Sequence, residues 1–85
     1  MLIVVALRDS AARVFAQPFF VQHSAQAVRG LRDEVNRAEK SSDVARHPGD
    51  FELHELGTFD DETGRLHSHE TTKLIVRAVD LKDSA

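Results

Sequence analysis

Eighty-five residues carry 11 Lys and Arg against 14 Asp and Glu, a net charge of −3. That balance excludes a protein that grips nucleic acid by neutralising phosphates over its whole surface. The absence of cysteine excludes disulfides, thiolate metal sites and thiol nucleophiles. The length suits a single domain over residues 1–85, burying only ~60–65% of its unfolded surface.

Leu2 to Leu7 is a continuous apolar, β-branched run, as expected of a central strand. Arg8 and Asp9 end it too early for a bilayer span, and no basic leader precedes it. No membrane association is expected. After the polar stretch Arg8–Ala12, residues Arg13 to Val21 read as a second strand, hairpinned to the first. Pro18 cannot donate to a ladder, so this strand belongs at an edge or bends there.

Ser24 reads as an N-cap, followed by a helix over Ala25 to Ala38 with Ala27, Leu31, Val35 and Ala38 on one stripe. Gly30, in mid-helix, is explained by close approach of the helix to the sheet. Glu39 to Asp50 reads as a polar loop ending in the Pro48-Gly49 turn.

Phe51 and Leu53 alternate with Glu52 and His54, the pattern of a half-buried third strand. Leu56 breaks the parity and Gly57 follows, so a β-bulge is expected there, returning Leu56 and Phe59 to the core face. Asp60-Asp61-Glu62-Thr63-Gly64 is a tight turn, and Arg65 to His67 a short fourth strand. Thr71 to Lys82 fits either element: Leu74, Ala78 and Leu81 have helical spacing, whereas Ile75, Val76 and Val79 favour a strand. A short C-terminal helix is preferred, with Asp83 to Ala85 frayed. The fold class is α+β: a small, mainly antiparallel sheet of order 2-1-3-4, built β-β-α-β-β plus the terminal element, with one helix on one face.

Catalytic chemistry is not indicated. His67-x-His69-Glu70 with His54 is the one metal-like grouping. It guarantees neither a full ligand set nor a second shell, so these are read as surface histidines and no metal or cofactor is assigned. Asp60-Asp61-Glu62 lacks the calcium-loop pattern, and no nucleophile elbow or phosphate-cradling glycine loop occurs. The basic residues concentrate on the helix. Arg29, Arg32 and Arg37, extended by Arg13, are the candidate phosphate contacts, with Phe19 or Phe20 as a stacking surface. The competing reading is a solvated helix face with both rings in the core. A Phe-bearing edge strand broken by Pro18 is also a candidate dimer surface.

Three segments carry a family resemblance: Gln17-Pro18-Phe19-Phe20 after the first strand, His47-Pro48-Gly49-Asp50-Phe51, and Leu53 to Asp61 closed by Thr63-Gly64. Together they resemble the small nonstructural protein of gokushovirus-type microviruses, the phage open-reading-frame-5 family. These bacteriophages have single-stranded circular DNA genomes. The resemblance implies a non-enzymatic protein of the host cytoplasm, absent from the capsid, that acts in viral DNA replication or packaging by binding single-stranded DNA. The alternative is a homodimeric adaptor for viral or host replication proteins, without DNA contact, which the acidic balance favours.

Overall fold

The β-branched run at the start of the chain forms the centre of the sheet in the computed structural model, which describes residues 1–83. This strand, β1 (Leu2–Asp9), is followed by β2 (Val14–Phe15), β3 (Phe19–Val21), helix α1 (Ser24–Val35) and a short α2 (Asp43–Arg46). Strands β4 (Phe51–Asp60) and β5 (Arg65–Arg77) complete the sheet. Its order is β2-β1-β4-β5, with β3 also on β1, and every pairing is antiparallel. This is the expected α+β architecture and strand order, β2 and β3 together standing for the second strand.

Val5, Leu7 and Leu53 face α1, which returns Ala27, Leu31 and Val35 to them. Val44 of α2, with Ala78 and Leu81 of a 3-10 turn over Ala78–Leu81, closes the far end of this core. The stretch expected to be a polar loop therefore contains a helical turn, capped by Ser42, whose hydroxyl accepts from the Ala45 amide at 3.1 Å. Its four residues are too short for any periodicity to show.

Other boundaries differ for identifiable reasons. The N-cap of α1 is His23, not Ser24. Gln26 decides this: its Oε1 accepts from the backbone amides of Gln22 and His23, at 2.9 and 3.1 Å. The helix stops at Val35, short of Ala38, because the Asn36 amide group donates to Arg32 O and Leu81 O, both at 2.9 Å. Asn36 Oδ1 accepts from the Asp83 amide at 2.7 Å, so Asp83 is tied down. The rest of the segment expected to fray, Ser84 and Ala85, lies outside the described residues. The second strand is split at Gln17-Pro18, and Arg13 sits in the preceding turn with φ 60°.

The preferred C-terminal helix is replaced by strand as far as Arg77 and then the 3-10 turn. Ladder register shifts between Leu53 and His54, so Ile75 and Val76 both pack toward the core despite opposite parity. The bulge expected near Gly57 is present, as register shifts on both sides of β4. It does not return Phe59 to the helix side: Phe59 pairs with Leu2 and packs on Phe20, with ring centroids 5.4 Å apart. Leu56 is part-buried and likewise outside the core cluster.

The two interior glycines have opposite meanings. A Cβ on Gly57 would stand 2.1 Å from the His67 carbonyl oxygen, so that backbone approach requires glycine. A Cβ on Gly30 would meet nothing within 4 Å, so close helix–sheet packing does not explain it. Gly30→Ala should raise stability by about 0.5–1 kcal/mol, whereas Gly57→Ala should cost about 2–3 kcal/mol. Urea denaturation of both variants beside the parent measures the contrast.

Candidate nucleic-acid interface

Since α1 covers only one side, the alternate residues of each strand form an open face. Sheet register arranges them in lateral rows. Phe15, Arg8, Glu52 and Arg77 make one row, and Ala6, His54 and Leu74 the next. Phe20, Val4, Gly57 and Ser68 make a third, and Leu2, Phe59 and Leu66 the last. Phe15 and Phe20 are 42% and 50% exposed on this face.

Each ring is oriented by a neighbour. The Arg8 guanidinium carbon lies 5.8 Å from the Phe15 ring centroid, a cation–π contact. Phe15 also meets the His54 ring edge-on at 5.4 Å, across β1. His54 in turn is held on both sides: Nε2 donates to Glu52 Oε1 at 3.0 Å and Nδ1 lies 3.1 Å from Thr72 Oγ1. The hydrogen bond from His54 is the main cause that holds the Glu52 carboxyl below its ordinary range, with Arg8 and Arg77 adding to it.

The structure separates the residues singled out in the sequence. Phe20 lies on the open face, while Phe19 registers with Val5 on the helix side. There it borders a groove of about 230 Å³ floored by Leu7, Leu31 and Leu53 and left open by Gly30. Arg29 and Arg32 are exposed on α1, the side of the sheet away from Phe20. Arg37, past the helix end, pairs with Glu34 at 3.2 Å, and Arg13 occupies the β1–β2 turn. No single surface therefore presents all six. Phe15, Arg8, Phe59 and Arg77 were missed; strand parity pointed to them only once the pairing of β1 with its neighbours was known.

The histidines are likewise dispersed. His69 binds Glu55 through Nε2 at 2.5 Å, and His54 binds Glu52. Among the described residues, no three His, Asp or Glu side chains converge on a common point. Both histidines bear on β5 where it makes a four-residue excursion, His69–Thr72, opposite Leu56.

The chain matches the model of the phage ORF5 protein family over residues 2–81. It belongs to that family. The match spans every strand and helix described above, so the phage ORF5 family is defined on this whole fold. No curated protein and no solved structure matches the chain. No helix among the described residues is long and apolar enough to cross a membrane.

The sign of the Glu52 shift fixes a pH dependence. A carboxyl lowered on folding adds stability above its unfolded value, 4.5, and that stability is lost as pH falls through the folded value. Thermal melts should show the parent losing more of its Tm between pH 6 and pH ~3 than Glu52→Gln does. Equal losses would remove the His54–Glu52 bond as a contributor.

Proposed function

We propose that this phage ORF5 protein is a non-enzymatic accessory protein of a single-stranded DNA microvirus that binds the viral strand through its open sheet face. The observation that carries the reading is the pair of exposed rings, Phe15 and Phe20, standing on one sheet edge opposite Arg8 and Val4 of β1. Four residues of strand separate those two positions, ~14 Å, a spacing that a few unstacked nucleotides span.

Bases have a π-face whatever their sequence, so rings fixed on a sheet bind single strands without reading them. Arg8 and Arg77, flanking Glu52 in one row, supply two cationic groups for phosphates. With so few cations on the face and a net charge of −3, stacking provides most of the affinity. Such binding suits a protein that coats or hands over genomic DNA in the host cytoplasm during replication or packaging. The helix arginines, Arg29 and Arg32, lie on the other side and take no part.

Fluorescence anisotropy with a short oligothymidine tests this. Phe20→Ala and Phe15→Ala should each weaken binding by about 1–3 kcal/mol, and Arg29→Ala should leave it unchanged. The slope of log affinity against log salt should be shallow, about −1.4 for two phosphate contacts. A complete lack of binding at low salt removes the proposal, and a steep slope lost with Arg29→Ala moves the site to the helix.

A further inference from the structure

The excursion of β5 has no role in the core. Between the pairs Glu55–Lys73 and Gly57–Ser68, β4 has the single residue Leu56 while β5 has His69–Thr72. None of those four is a buried core residue. Irregularities of this kind bend a strand and re-aim its side chains, and they are frequent beside functional sites. Both ends of the excursion are bonded to β4, His69 to Glu55 and Thr72 to His54, while Glu70 and Thr71 between them are exposed.

The Thr72 end leads to Phe15. Thr72 precedes Leu74 by two residues, so it lies on the open face, diagonal to His54. The ionised Glu52 carboxylate can only accept, so His54 Nε2 carries the proton of their 3.0 Å bond. That leaves Nδ1 to accept from the Thr72 hydroxyl at 3.1 Å. Turning the imidazole over would break both bonds, so the ring has one orientation. In that orientation it meets the Phe15 ring with the two planes at 83°. Phe15 itself belongs to a strand of two residues at the sheet margin, which gives its side chain little other support. Phe20 differs: it packs on Phe59, with no polar group relaying to it.

We propose that Thr72 is a positioning residue which, acting through His54, holds the Phe15 ring ready to stack on a base of single-stranded DNA. The inference rests on the DNA reading of the open face. A ring already fixed loses less side-chain freedom when a base lands on it, so the relay raises affinity by preorganisation. A hydroxyl that only held the sheet together would affect binding at Phe15 and Phe20 alike. One that aims Phe15 acts on Phe15 alone.

Fluorescence anisotropy of the full chain with oligothymidine tests the relay. Thr72→Val removes the hydroxyl at nearly constant shape and should weaken binding about threefold to tenfold. Thr72→Ser keeps the hydroxyl and should bind as the parent does; both variants should keep the parent's circular dichroism spectrum. In a Phe15→Ala background Thr72→Val should have no further effect, whereas in a Phe20→Ala background its full effect should remain. In NMR spectra without DNA, Thr72→Val should shift the Phe15 ring resonances and leave those of Phe20 in place. Thr72→Val binding as tightly as the parent, or losing equally in both backgrounds, overturns the proposal and leaves the DNA reading standing. A parent that binds no oligothymidine at low salt defeats the DNA reading and the role of Thr72 with it, even where the Phe15 resonances still report the His54 contact.

Discussion

One strand has to be satisfied on four sides, and the molecule is built from the ways it is satisfied. β1 exchanges ladder bonds with β4 along one flank and with β2 and β3 along the other. Val5 is sealed by α1, while Val4 and Ala6, pointing the other way, are also buried. On that second face nothing but side chains of the sheet is available. Phe20 and Phe59 pack together beside Val4, and Phe15 and His54 meet beside Ala6. The exposed rings of the open face are the ones that keep β1 dry. Truncating Phe15 or Phe20 therefore uncovers part of the central strand.

The same economy appears in the turns. Asp9 and Asp60 each end a strand and each accept two amides with one carboxylate oxygen, Ala11 and Ala12 in one case, Glu62 and Thr63 in the other. In both, an amide four residues on returns to the aspartate carbonyl at 2.7 Å, and that residue has positive φ: Arg13 at 60°, Gly64 at 76°. Those amides hold the Asp60 carboxyl below its ordinary range, that of Glu62 first among them. Gly64 adopts its conformation freely, whereas a residue with a Cβ is strained there by about 1–2 kcal/mol. The Asp-Gly chemistry of the second turn is readable in sequence; the first turn hides behind an arginine.

That contrast describes what was legible. The Leu2–Leu7 run, the Pro18 break, the helical stripe and the Gly57 bulge have local signatures, and they gave the fold class and strand order. The ends of elements did not, because they are set at a distance: Asn36 stops α1 by binding Leu81, some 45 residues on. The C-terminal segment failed for a related reason. Register slippage beside Leu53 lets adjacent Ile75 and Val76 both approach the core, and Ala78 and Leu81 are buried by a 3-10 turn whose three-residue spacing imitates a helix. For the site, parity along the Pro18 strand does put Phe19 and Phe20 on opposite faces. What it cannot give is which of the two faces the helix takes, so arginines and rings that lie near in sequence were grouped across the sheet.

The acidic balance takes a different meaning once the faces are distinguished. The hairpin tip holds Asp60, Asp61 and Glu62, with the N-terminal ammonium on Asp61 at 3.2 Å, whereas Arg8 and Arg77 lie at the opposite end of the open face. The open face is therefore electrostatically polar, negative at the tip and positive at the Phe15 row. In an elongated molecule this polarity sets a direction along the sheet. The net charge of −3 is thus an average over a face whose acids gather at the tip and whose arginines gather at the far end.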